Sequence, residues 1–280
     1  MKIKVYTSES GLRSPKVLID GMLKDIVAGR FLAWQMFLRN TSAKYRQSFM
    51  GILWALLPPL ATSLVWIFLN SQKVVSFEGT KVPYPVFVIT GTMMWQIFSE
   101  SINGMIGALT GNRSILVKLN FPRESLIFSA ALETLFSTLI KMVLLGIVLI
   151  VFKLLPGYEI IQIFPGVFGL MLLGWTIGLL LIPFVMLIKD IGNAIGIILQ
   201  FAMYLTPVIY PAKHYSGWLT FLNYNPVSPI IEVARSSLTG SWSPYLNDSL
   251  LLIAFFLFLF LIGLIIYRLT LPIIIERMGS

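Results

Sequence analysis

From Ile160 to Ile188 the chain runs for 29 residues without one charged side chain. As a helix this run is about 44 Å long, more than the ~30 Å hydrocarbon core of a bilayer. A lipid setting demands that every backbone polar group be satisfied within its own segment, so such a run reads as a membrane-crossing helix. Comparable runs recur at 52–69, 84–110, 125–152, 191–210 and 249–267. Only Glu100 interrupts the second, and only Glu133 and Lys141 the third. Charged residues make up 12% of the chain, against about 25% in a soluble domain. The mean hydropathy is +0.85. A soluble surface for 280 residues cannot be built from this composition. The fold class is therefore all-α integral membrane, with about six transmembrane helices.

The remaining segments are organised around those spans. Residues 1–21 are polar and read as a cytosolic arm. Residues 22–46 read as an amphipathic interface helix and linker. Leu23, Ile26, Val27, Phe31, Trp34, Phe37 and Leu38 share one helical face, and Lys24, Asp25, Gln35 and Arg39 the other. A helix packed on a partner protein is the alternative. Residues 47–280 form the transmembrane domain, in which Pro58-Pro59 predicts a kink early in the first span. Residues 211–245 are broken by Pro211, Pro226, Pro229 and Pro244 but remain apolar, which predicts two short re-entrant or interfacial helices before the last span.

The net charge of +9 sits in loops beside apolar spans, so it orients the chain rather than binding nucleic acid. With the N-terminus in the cytosol, 15 Lys and Arg residues fall on the cytosolic side, including Arg268 and Arg277. Five fall outside: Lys73, Lys81, Lys153, Lys213 and Arg235. Both termini are then cytosolic.

Several chemistries are excluded. The chain has no cysteine, hence no disulfide, thiolate nucleophile or Cys-ligated metal. His214 is the single histidine and reads as an ordinary loop residue, so no metal site is expected. No Gly-x-x-x-x-Gly-Lys loop is present, so energy for uphill transport must come from another chain. Gly107-x-x-x-Gly111 and Gly174-x-x-x-Gly178 match a common helix-packing pattern. The intramembrane charges Glu100, Glu133 and Lys141 are functional candidates because bare charge in lipid is costly. An interhelical structural network, or the lining of a wet path, suits them better than a proton relay, which needs a longer chain of such groups. A direct Glu–Lys pair does not follow from their spacing.

Ordered motifs carry a resemblance. Residues 44–58 read KYRQSFMGILWALLP; Tyr84-Pro85 precedes the second span, which holds Gly91 and Trp95. Lys118 to Arg123 reads KLNFPR, Lys189-Asp190 joins the fourth and fifth spans, Leu205 to Pro211 reads LTPVIYP, and Asn225-Pro226 follows. Together these resemble type-2 ABC exporter permeases of the polysaccharide-export group (O-antigen, teichoic acid or capsule), from about residue 25 to the end. Met50 departs from the leucine common there, a volume-conserving change.

The resemblance implies a transporter permease rather than an enzyme, in a bacterial inner membrane. It implies a homodimer bound to two copies of an ATPase subunit, which would carry the ATP and Mg; no cofactor is expected in this chain. The implied cargo is a lipid-linked polysaccharide, foremost O-antigen on undecaprenyl diphosphate. ATPase coupling falls on the segment with Arg113, Lys118, Phe121, Pro122 and Arg123. Arg39, Lys44, Tyr45 and Arg46 would gate the cytosolic entrance for the diphosphate, with interfacial anchoring as the alternative. Trp54, Trp66, Phe68, Phe201, Tyr204 and Tyr210 are candidates for a path lined with aromatic rings, with membrane-interface belts or helix packing as the alternative. A permease for teichoic acid, a drug or a simple lipid remains open, as does an integral-membrane enzyme acting on lipid-linked sugars. The latter would need acids or histidines clustered at one membrane face. A passive channel lacks its repeated charged rings here.

Overall fold

The computed structural model describes residues 15–46, 48–77, 80, 82–119, 121–154, 157–211, 217–238 and 240–279. The expected arm over 1–14 and the readings of His214 and Lys213 lie outside these. Among the described residues the chain is helical, with no strand. Its helices are α1 (Pro15–Arg46), α2 (Leu57–Ser71), α3 (Tyr84–Thr110), α4 (Arg113–Lys118), α5 (Glu124–Val151), α6 (Ile163–Leu187), α7 (Lys189–Leu205), α8 (Val227–Ser236) and α9 (Leu246–Gly279). Short 3-10 turns occupy Gly51–Ala55, Tyr158–Gln162 and Gly217–Tyr224.

Among the described residues, three stretches are long and apolar enough to cross a bilayer: Glu124–Val151, Tyr158–Leu187 and Leu246–Arg277. Leu57–Ser71 and Asp190–Leu205 are shorter apolar helices. α3 is 27 residues long and packs along α5 and α6. Large apolar side chains remain exposed on α5 (Leu135, Leu139, Val143, Ile147) and on α9 (Leu251, Phe255, Phe258, Leu261). Contiguous apolar surface of that extent belongs in lipid. The chain is a multi-pass membrane protein.

Helix boundaries follow local chemistry. Pro58 and Pro59 stand in the first turn of α2, where a missing N–H costs nothing, so they start the helix instead of kinking it. The chain before them is the Gly51–Ala55 turn, which shortens the predicted first span at its start. α7 stops at Leu205 because Thr206, preceding Pro207, is extended (φ −96°, ψ 143°). α1 begins at Pro15, so residues 15–21 continue the predicted interface helix. α9 runs well past the predicted end at 267 and carries Arg268.

α3 and α6 form the centre. Gly174 and Gly178 bring α6 against the α3 backbone: a Cβ at Gly174 would lie 2.6 Å from the Phe98 carbonyl oxygen, and one at Gly178 2.7 Å from that of Ile102. The predicted small-residue contact is therefore real at this pair. Gly107 faces nothing within 4 Å, so the other pair packs no helix. One buried cluster surrounds Met93, Met94, Leu170, Leu173, Ile230 and Ile231 near α8. A second joins α1 to the far ends of α3, α5, α6 and α9 through Met36, Leu109, Leu116, Leu126, Leu179 and Tyr267.

The predicted apolar face of α1 divides in two. Phe37 is buried and Ile26 half-buried, and Met22, Gly29, Ala33 and Met36 extend this side. Val27, Phe31, Trp34 and Leu38 stay exposed as a second apolar stripe, Phe31 by 70%.

Candidate functional site

Between α1 and α2 the chain bends and makes the Gly51–Ala55 turn. Gly51 starts that turn with φ +50°, a conformation glycine adopts without a Cβ penalty. Beside it lies an open groove of about 580 Å³ lined by Thr41, Ser42, Tyr45, Arg46, Met50, Gly51, Ile52, Leu53 and Phe136. Phe136 of α5 fixes one wall, its ring 6.0 Å from that of Phe37 and 6.2 Å from that of Tyr45. Of the predicted entrance residues, Tyr45 and Arg46 line the groove. Lys44 stands over the Tyr45 ring at 5.4 Å. Arg39 does not line it. Its guanidinium donates to Asn40 Oδ1 at 3.1 Å and to Asn112 Oδ1 at 3.4 Å. The groove thus offers aliphatic and aromatic walls with the exposed Arg46 guanidinium fork beside them, a shape suited to an amphiphile with an anionic head.

The predicted coupling segment is anchored at both ends. Arg113 Nη2 donates to the Met186 carbonyl at 2.8 Å and to that of Val185 at 3.2 Å, satisfying carbonyls left unpaired at the end of α6. Leu116 is buried and Phe121 packs on the same cluster, while Lys118 is exposed. Pro122 lies against Gly29 of α1, and Ser125 Oγ donates to the Gly29 carbonyl at 3.2 Å. The Arg123 carbonyl accepts the Tyr267 hydroxyl at 3.1 Å. Arg268 then bridges Glu124 and Asp25, each at 2.6 Å. Arg268 therefore does more than bias orientation: it ties α9 to α1 and α5.

The three intramembrane charges separate into two sites. Lys141 is fully buried and donates to Glu100 Oε2 at 2.7 Å and to Ser137 Oγ at 2.8 Å; Ser137 in turn donates to Glu100 at 2.7 Å. So a direct Glu–Lys pair forms, which the spacing along the two helices does not predict. Glu133 stands apart, accepting Asn40 Nδ2 at 2.8 Å and Ser129 Oγ at 3.0 Å. Every group here has a protein partner, the arrangement of a structural network.

The predicted path aromatics are also divided. Trp66 contacts Tyr204 at 6.2 Å and Phe77 at 6.4 Å, Phe77 lies 6.3 Å from Tyr210, and the Tyr210 hydroxyl donates to the Tyr204 carbonyl at 3.1 Å. These form one cluster at the α8 end. Phe68 and Phe201 are exposed on α2 and α7, and Trp54 is half-exposed in the turn before α2; none of the three joins the cluster.

Arg235, predicted as an outer loop charge, is instead 2% exposed. Its fork donates to the carbonyls of Pro207 at 3.3 Å and Val208 at 2.9 Å and to Glu232 at 3.1 Å, and its guanidinium stacks 3.7 Å over the Phe87 ring. Burial pulls it below the usual arginine range while Glu232 pulls the other way. Gly91 leaves the space: a Cβ there would meet the Val208 carbonyl and lie 2.6 Å from Arg235 Nη2. Ser137, Asn40, Asn112 and Arg235 are the important residues that composition does not disclose. The one available signal was the interruption of the fifth span at Pro207, which frees carbonyls that need a donor.

Residues 32–239 match the family described as ABC-2 type transporter. The chain is 27% identical over 192 residues to an O-antigen export system permease protein, RfbA, of Myxococcus xanthus, covering 68% of this chain and 72% of that protein. It is 24% identical over 237 residues to an RfbA of Klebsiella pneumoniae, covering 82% and 88%. It is 25% identical over 241 residues to the polysialic acid transport protein KpsM of Escherichia coli, covering 83% and 91%.

Proposed function

Because the chain belongs to the ABC-2 type transporter family, we propose that it is the permease of an ATP-driven exporter that moves a lipid-linked polysaccharide out of the cytosol across a bacterial inner membrane. The observation that carries this reading is the family match over 32–239, supported by relatives named for O-antigen export and polysialic acid transport. The matched region includes the groove and the anchored α4–α5 corner. The chain acts as a homodimer with two ATPase subunits that hold ATP and Mg. Its six spans are α2, α3, α5, α6, α7 and α9, with both termini cytosolic and α1 in the interface. The arm is what precedes α1, the interface segment is α1 over Pro15–Arg46, and residues 47–280 are the permease domain.

In this reading the groove receives the lipid-linked head. Arg46 holds the diphosphate by its guanidinium fork. Tyr45 and Phe136 present ring faces to the first sugars or the prenyl chain. Lys118 and the exposed face of α4 meet the ATPase, whose movement passes into α5, α6 and α1 through Glu124, Arg113 and Pro122. Trp66, Tyr204 and Tyr210 flank the exit, where ring faces slide along a polymer without holding it. O-antigen on undecaprenyl diphosphate is the cargo proposed.

The test is co-purification. The tagged chain is expressed with its genomic neighbours and what remains bound in detergent is identified. A stoichiometric ATPase with two copies of this chain is the expected result. A protein that runs alone, in cells whose surface glycan survives deletion of its gene, would sink the proposal.

A further inference from the structure

Gln96, Ser99, Glu100 and Asn103 occupy one face of α3, at the i, i+3, i+4, i+7 spacing of a helical stripe. Asn103 is exposed and the other three are half-buried, while Trp95, Phe98, Ser101 and Ile102 around the helix are buried. The neighbours explain the opening. α2 covers α3 nearer its start, where Ser63 Oγ meets Thr92 Oγ1 at 2.7 Å. α2 itself begins only at Leu57, and the chain then leaves for the groove. α5 covers the opposite flank, where a Cβ at Gly104 would lie 2.9 Å from the Thr134 methyl. The stripe opens between these two flanks.

α3 packs along α5 and α6, both long and apolar enough to cross a bilayer, so the stripe lies at membrane depth. Polar side chains there face a wet cavity or a polar partner, because lipid offers them nothing. Their chemistry narrows the choice. Two amides and a hydroxyl accompany one carboxylate, and the charge of Glu100 is already met by Lys141 and Ser137. Gln96 Nε2 reaches the other carboxylate oxygen at 3.3 Å. The stripe is thus neutral overall and rich in both donors and acceptors. It suits a neutral chain of hydroxyl groups and gives an ion no net charge to bind.

We propose that Gln96, Ser99, Glu100 and Asn103 form a hydroxyl-binding track, the polar wall that receives sugar units beyond the groove. Lys141 and Ser137 are its positioning residues, holding Glu100 in place. The track rests on the polysaccharide-export reading and adds to it the groups that contact the sugars.

The chain has no cysteine, so single cysteines at Gln96, Ser99 and Asn103 report water access one position at a time. The full chain with its ATPase, in native membranes, is treated with a membrane-impermeant maleimide. Leu139→Cys on the exposed apolar face of α5 sets the lipid background. Labelling of S99C and N103C about tenfold faster than at 139 is expected, because a polar stripe at this depth must be wet. Labelling should slow in cells that make the glycan, relative to cells lacking the first glycosyltransferase of its synthesis. Labelling as slow as at 139 overturns the track. So does oxidative cross-linking of N103C between two copies, which would make the stripe a subunit contact, and so does labelling indifferent to the glycan. In parallel, the Q96L/N103L double variant should lower surface glycan about tenfold, the loss expected for two or so hydrogen bonds. Undiminished export, with the variant present at wild-type level, counts against the proposal. Failure of the export reading itself is separate: the wild-type gene would then have no effect on surface glycan, while maleimide access would still be measured.

Discussion

Arg268 of α9 and Asp25 of α1 lie 2.6 Å apart although 243 residues separate them, and the same guanidinium holds Glu124 of α5 at 2.6 Å. Three helices therefore share one cation, with only 17% of its side chain exposed. Replacing Arg268 with Gln leaves two carboxylates facing each other and should cost about 3 kcal/mol of stability. Asp25→Asn alone should cost less, because Glu124 still pairs with the arginine. A double-mutant cycle by thermal unfolding in detergent should give a coupling of about 1–2 kcal/mol between Arg268 and Asp25. Additive effects would mean that the contact carries no energy.

Lys141 has no exposed surface and its cation is met by Glu100 and Ser137. Lys141→Met should destabilise by about 3–5 kcal/mol, because it strands the Glu100 carboxylate. Adding Glu100→Gln should recover most of that loss. Membrane-fraction yield and unfolding temperature of the single and double variants check this; a double variant worse than the single would contradict it.

The two glycine pairs should behave oppositely. Gly174→Val drives a branched side chain into the α3 backbone and should cost more than about 2 kcal/mol, or block folding. Gly107→Ala adds a methyl where nothing lies within 4 Å, and should stabilise by up to about 1 kcal/mol through helix propensity. Unfolding temperatures of the two variants decide the matter.

Arg235 should tolerate no substitute. Lysine retains the charge but not the planar fork that reaches Pro207, Val208 and Glu232 while stacking on Phe87. Arg235→Lys should cost about 2 kcal/mol, and Arg235→Met should leave the Pro207 and Val208 carbonyls short of a donor at a similar or greater cost. Thermal unfolding reads both, and limited proteolysis near Pro207 should rise in each.

At the groove, Arg46→Ala should weaken capture of a diphosphate lipid about tenfold, near 1.4 kcal/mol, with Arg46→Lys intermediate. Arg46 is exposed, so the fold should be untouched. Cargo-stimulated ATPase activity against lipid concentration measures the shift; a changed maximum with an unchanged midpoint would place Arg46 outside cargo binding.

The helices were legible because their signals are local. The charge-free run at 160–188 marks α6, and the apolar run at 249–267 marks most of α9. Gly174 and Gly178 marked a real contact, but the same pattern at Gly107 did not, because a spacing does not say which face meets a neighbour. Pro58 and Pro59 were misread for a similar reason: proline kinks a helix or starts it according to where the preceding turn ends. Tyr45 and Arg46 could be placed together from their adjacency. The partners of Arg235, Arg268 and Lys141 could not, since a buried cation is matched by carbonyls and carboxylates from distant segments. The division of the α1 apolar face was likewise hidden, because a helical wheel does not reveal that two stripes meet different surroundings.

Glu100 precedes Lys141 by 41 residues, so at ordinary ribosomal speed it emerges about 2–8 s before its cation. Throughout that interval α3 carries a carboxylate with no counter-ion and a polar face with no cover. Inserting α3 alone therefore carries a cost of about 3 kcal/mol that is relieved once α5 arrives and Lys141 meets Glu100.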